Sequence, residues 1–164
     1  MPQTVGSGAT NEPEHRLYVC HVQTFATFAE LRAVSTAIVR ATARKQSSGK
    51  IAGIPTTITK LAVTKVIWGK VAGSDVELRQ LGVVGQRGNA SKIVESGGEY
   101  LVFLVPSTGA DDAAPNRYLV AGDAGLYELQ GEWYVLRGGD LPPKGHNALP
   151  TTLDNATADA TVTS

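Results

Sequence analysis

Apolar positions fall in short runs separated by glycine, proline and small polar residues. The stretch Glu99-Tyr100-Leu101-Val102-Phe103-Leu104-Val105-Pro106 is the strongest of them. It holds six consecutive strand-favouring residues between Gly97-Gly98 and Pro106, the pattern of a strand buried on both faces. Residues 117–122 and 125–129 follow after a polar loop at 107–116 and are expected as its antiparallel neighbours. Residues 37–45 alternate, with Val39, Ala41 and Ala43 on one side and Arg40, Thr42 and Arg44 on the other, so a half-buried strand with a basic face is expected. Residues 46–50 read as a loop. In 56–68 the apolar phase changes between Leu61, Val63 and Val66, Trp68, which predicts a β-bulge. Val76, Leu78 and Gln80 alternate with Glu77, Arg79 and Leu81 as the partner strand. Residues 82–96 read as a loop, and 126–129 and 132–136 as a hairpin joined through Gln130-Gly131.

Thr27-Phe28-Ala29-Glu30 fits a capping box, in which the Thr27 hydroxyl accepts from the Glu30 amide and the Glu30 carboxylate accepts from the Thr27 amide. Phe28, Leu31 and Val34 then share one face of a short helix ending near Ser35, expected to plug one end of a barrel. Val19 and Val22 suit a short strand before it. Residues 1–16 and 138–164 are polar and aperiodic, and read as extended arms around a domain at 17–137. The pattern thus predicts a single all-β domain, a small barrel or tightly curved sandwich with one short helix and two arms. There is no internal repeat.

Composition adds limits. At 164 residues, 42% hydrophobic and 18% charged, the chain suits one globular domain. Cys20 is the only cysteine, so no internal disulfide can staple the fold. No apolar run is long enough for a membrane helix, and the N-terminal residues lack the pattern of a signal peptide; no export signal is expected in the chain as written. Net charge is zero, yet 31–74 holds eight basic residues and no acidic one. The remainder holds seven basic and fifteen acidic residues, a net of minus eight.

Little in the sequence points to catalysis. Cys20-His21 with His15 is the one Cys/His cluster, and without a second pair it falls short of a structural zinc signature. Asp111, Asp112 and Asp123 match no calcium-loop frame and suit solvated turns. No phosphate loop, nucleophile elbow or zinc-protease motif is present, and the glycines of 82–88 fit no dinucleotide fingerprint. The expectation is a chain without enzymatic activity, metal or cofactor.

The helix opening Phe28-Ala29-Glu30-Leu31, the strand ending Lys65-Val66-Ile67-Trp68-Gly69-Lys70, then Leu78-Arg79-Gln80-Leu81-Gly82, Gly98 through Leu104, and Ala121-Gly122-Asp123-Ala124-Gly125-Leu126-Tyr127 resemble small secreted or envelope domains of Gram-positive bacteria, actinobacteria above all. The resemblance spans about residues 24–137. It implies an OB-like β-barrel distantly similar to that of the tissue inhibitors of metalloproteinases. Those inhibitors set a disulfide-bonded N-terminal cysteine on the target's zinc, whereas this chain begins with Met1 and has Cys20 alone, so no functional residue carries over. Without an export signal, a bacteriophage-borne copy also fits.

These features lead to an expected function: a non-enzymatic protein–protein interaction module that docks into a larger homo- or hetero-oligomeric assembly, a virion structural or decoration protein being one form. Its candidate interaction residues are Arg40, Arg44, Lys45, Lys60, Lys65 and Trp68, with the extended arms wrapping a neighbour. Two alternatives stand beside it, a secreted or cell-envelope inhibitor-like binding domain and an OB-like nucleic-acid binder. Nucleic acid is disfavoured, because Trp68 is the one aromatic residue in the basic stretch and the whole chain is neutral.

Overall fold

The computed structural model describes residues 25–51, 53–82, 92–107, 116–138 and 148–164. Along them run helix α1 (Phe28–Ala33), strands β1 (Ala37–Ile51), β2 (Ile54–Gly69), β3 (Asp75–Leu81), β4 (Glu99–Pro106) and β5 (Arg117–Val120), a 3-10 turn at Ala121–Asp123, strands β6 (Leu126–Gln130), β7 (Trp133–Leu136) and β8 (Thr152–Asp154), and helix α2 (Ala158–Thr163). The fold is all-β, as the alternation and turn signals require. The proposed N-terminal arm 1–16, the strand at Val19 and Val22, the cluster His15, Cys20 and His21, the glycines of 83–88, and Asp111 and Asp112 lie outside the described residues.

Six consecutive apolar residues on β4 need neighbours on both edges and cover on both faces, and they have them. β1 runs antiparallel along one edge, from Thr42 opposite Glu99 to Ala37 opposite Leu104. The other edge is divided: β6 pairs with Tyr100 to Val102 and β5 with Leu104 to Pro106, both antiparallel. β1–β2 and β2–β3 are antiparallel and β3–β5 parallel. Five strands therefore close a ring in the order β1-β2-β3-β5-β4 and back to β1, while β6-β7-β8 leave β4 as a wing.

The alternation of β1 and β4 divides the interior into two cores. Ala37, Val39, Ala41 and Ala43 of β1, Leu61 of β2, Val76 and Leu78 of β3, Tyr100, Val102 and Leu104 of β4, and Tyr118 and Val120 of β5 fill the ring. On the outside of the ring, Ile38, Leu101 and Phe103 meet Phe25, Phe28, Leu31, Tyr127 and Tyr134 and, from the C-terminal segment, Leu149, Leu153, Ala158 and Val162. Phe28 stacks on Phe103 with centroids 5.8 Å apart, an arrangement that adds to its burial.

The structure corrects four expectations. First, α1 does not plug the ring; it packs on the outer core, and Val34 is exposed at its C-cap. Residues 92–96 close one end instead. Val94 is buried among the ring residues, its N–H donating to Gln80 Oε1 at 2.9 Å and its carbonyl accepting from Gln46 Nε2 at 2.6 Å. Second, residues 46–50 form no loop but continue β1 to a turn with Gly53 at φ +80°. Third, part of the expected C-terminal arm is folded: β8 pairs with β7, and α2 buries Ala158 and Val162. Fourth, the capping carboxylate of Glu30 accepts from the Ala26 N–H at 2.7 Å, one residue before Thr27, although Thr27 Oγ1 accepts from the Glu30 N–H as expected.

The predicted bulge in β2 is present. Trp68 faces Ile38 and Val66 faces Val39, leaving Ile67 as an extra residue; Lys65 faces Arg40 and Val63 faces Ala41, leaving Thr64 as another. Each extra residue reverses the side-chain phase and adds twist, which lets one strand serve a tightly closed ring. Gly69 ends β2 at φ +78°, where a Cβ would lie 2.1 Å from the Thr36 carbonyl oxygen; glycine alone fits this close approach.

Candidate interaction surface

The β1–β2 hairpin carries all six sequence-predicted residues, and the fold separates them into three places. Arg40 faces outward between β1's buried neighbours and is committed within the molecule. Its guanidinium donates from Nε to Asp159 Oδ1 at 2.8 Å, from Nη1 to Asn155 Oδ1 at 2.7 Å and from Nη2 to the Asn155 carbonyl at 2.9 Å. It also lies 5.3 Å from the Tyr134 ring centroid. Lys65, opposite Arg40 in the ladder, donates to the other oxygen of Asp159. Asp159 is thus held by two cations. Burial pushes its carboxyl up, but the hydrogen bonds and charges of Lys65 and Arg40 outweigh that and leave it below its ordinary value.

Arg44, Lys45 and Lys60 come together at a third irregularity. Ala43 faces Leu61 and Gln46 faces Thr59, so Arg44 and Lys45 share a bulge opposite Lys60. All three are exposed, and none has an ion-pair partner among the described residues. Glu77, the ladder partner of Lys60, accepts instead from Arg117 Nε at 3.1 Å. Lys50, also exposed, stands further along the same strand.

The backbone edge beside this cluster has no strand against it among the described residues. β4 accompanies β1 only as far as Thr42. Ala43 then donates to the Gly98 carbonyl at 2.9 Å and accepts from the Gly97 N–H at 2.8 Å, and the Arg44 carbonyl accepts from Ser96 Oγ at 2.6 Å. From Lys45 onward, β1 has β2 on one side and no strand on the other among the described residues.

Trp68 is half exposed at the far end of β2, opposite Ile38. Eight residues at roughly 3.3 Å each put it about 25 Å from Lys60 along the strand. Trp133, 51% exposed, lies on β7. Exposed Val66 stands on β2 between Lys65 and Ile67.

The described residues hold no group of three His, Cys, Asp or Glu side chains placed to bind a metal. An open recess of about 280 Å³ is lined by Lys65, Ile67, Asp159, Ala160 and Thr163; its two charged groups are the pair already described. A second polar cluster is structural. Glu128 accepts from Arg137 Nε at 2.9 Å and Lys92 Nζ at 3.3 Å, and Tyr100 OH donates to it at 3.4 Å while accepting from the Glu95 N–H at 2.8 Å. Burial, with the Glu128 and Glu95 charges adding to it against the Glu95 N–H, pushes the Tyr100 hydroxyl up to about 12. It remains a donor across the physiological range.

Sequence reasoning missed the partners that divide the basic face: Asn155 and Asp159, together with Arg32, whose Nη1 donates to the Val162 carbonyl at 2.7 Å and caps the end of α2. The pair Ala158/Val162 is one helical turn apart, too short a stretch for a period to show in the sequence. No protein-family model matches the sequence, and no curated protein matches it. No helix among the described residues is long and apolar enough to cross a membrane.

Proposed function

We propose that this chain is a non-enzymatic protein–protein interaction module that docks through the basic outer end of the β1–β2 hairpin. The observation that carries this reading is the cluster of Arg44, Lys45 and Lys60, exposed and without an ion-pair partner among the described residues, while the neighbouring cations Arg40 and Lys65 are consumed by Asp159. Three like charges at one bulge repel one another. A partner of complementary potential relieves that repulsion and gains from it in steering and register.

Nucleic-acid binding is the second reading, favoured by one observation. A five-stranded ring with strand order β1-β2-β3-β5-β4 is of the kind that OB-type domains use for oligonucleotides. Against it, the half-exposed Trp68 lies far along β2 from the cations, so a stacking platform and a phosphate-binding cluster are not side by side.

The test is the size of the complex formed by the tagged full chain in its source cells. The chain is expected to elute well above its own 17.2 kDa at low salt, and to be released at high salt as screening shortens to about 3 Å at 1 M. Substitution of Arg44, Lys45 and Lys60 by Glu should return it to monomer mass at both. Elution of the unaltered chain as a monomer at low salt would remove the basis for the proposal.

A further inference from the structure

The geometry points to a ligand for the open edge of β1: an extended acidic segment of a partner protein, which adds to the sheet as a strand beside residues 45–51. This inference rests on the module reading and gives it a binding mode. Three observations combine. β4 stops pairing with β1 at Thr42, and Ala43 and Arg44 make the last backbone contacts on that side. Beyond them β1 remains in regular register with β2, from Gln46 opposite Thr59 to Ile51 opposite Ile54. The edge is therefore free of bulges and pre-formed for roughly 20 Å, enough for a strand of ordinary length. Lys45, Ser47, Ser48 and Lys50 along it are exposed.

An edge of this kind offers outward N–H and C=O groups at alternate residues, which a peptide satisfies as a ladder. Charge decides which peptide. Arg44, Lys45 and Lys50 lie along the edge and Lys60 stands beside them on β2, while Glu77, the ladder partner of Lys60, is engaged by Arg117. A second copy laid antiparallel would bring two sets of these cations together, so the lysines that discourage self-pairing select a strand rich in Asp and Glu. A nucleic acid could use the charges but has no peptide backbone with which to extend the ladder.

The probe is a blocked eight-residue peptide of alternating valine and glutamate, titrated into the full chain by fluorescence anisotropy. Three controls accompany it: the same peptide N-methylated at alternate residues, the Lys45→Glu/Lys50→Glu variant, and a single-stranded oligothymidine. The unmodified peptide is expected to bind. N-methylation, which preserves charge but removes backbone donors, should weaken it by about tenfold or more, and so should the double variant. Equal binding of the N-methylated peptide would overturn strand addition, and so would binding of the oligothymidine without the peptide. If the peptide fails while the native complex remains salt-sensitive and dependent on Arg44, Lys45 and Lys60, the binding mode falls and the module reading stands. If both fail, both fall.

Discussion

Arg40 occupies a position that strand alternation turns away from the ring core, and at that position a cation would ordinarily be solvated. Here it has five N–H donors in a fixed fork and uses three of them on Asn155 and Asp159, with its side chain only 22% exposed. Charge-assisted bonds at such a site contribute about 1.5–3 kcal/mol. Arg40→Ala should therefore lower stability to urea by about 2–3 kcal/mol. Arg40→Lys should recover part of the loss, through Asp159 alone, because an ammonium cannot span both acceptors. Equal stability of Arg40→Ala and the unaltered chain would show the fork to be incidental. The alternation of 37–45 identifies Arg40 as an outward cation, but its partners lie more than a hundred residues away, and no local pattern couples them. Arg44 and Lys45 look no different from Arg40 in the sequence. Only the bulge at Lys60 and the place where α2 lands set them apart.

At the scale of elements, α2 has six residues and cannot be stable alone. It is held by burial of Ala158 and Val162, by Arg32 at its end and by the clasp on Asp159. Because the Asp159 carboxyl is held below its ordinary value, folding favours the ionised form. The resulting stabilisation is complete above the ordinary carboxylate range and is lost as pH falls through the lowered value. Amide-exchange protection of residues 158–164 should accordingly fall below about pH 4. Asp159→Asn should show the weakened protection already at neutral pH, and little change on acidification; a variant that follows the pH profile of the parent would place the titrating group elsewhere. β1 as far as Lys45 and β2 to β7 were legible because each has a run or an alternation bounded by turn residues, and the bulge in β2 because it reverses a phase; the polar residues 46–50 were not, because the hairpin with β2 rather than any apolar alternation continues the strand there. β8 and α2 were not, since three and six residues are too few for a period to show. Their order comes from contacts with β7 and the outer core.

For the whole molecule, the two cores differ in what closes them. The ring is closed by strands and by residues 92–96, whereas the outer core is closed by the C-terminal segment, pinned at Tyr127 OH to the Pro150 carbonyl at 2.7 Å and at the Ala148 N–H to the Phe25 carbonyl at 2.9 Å. An unattached arm could be deleted without cost. This segment instead buries Leu149, Leu153 and Val162, each contributing about 1.5–3 kcal/mol when fully covered, and it shields Phe28, Phe103 and Tyr127. Deleting residues 148–164 should destabilise the fold by on the order of 5 kcal/mol, a large part of the roughly 5–15 kcal/mol that a domain has. In urea this appears as a lower midpoint, and in the native baseline as dye binding to the uncovered aromatic surface. The Arg44, Lys45 and Lys60 to Glu variant should keep its midpoint within about 0.5 kcal/mol of the parent, since none of the bonds that hold the segment comes from those side chains. The two alterations therefore separate folding from docking. If the truncated chain retains the parental midpoint, the outer core is not a second hydrophobic centre. If the charge variant loses its own, the cluster belongs to the fold and not to a partner.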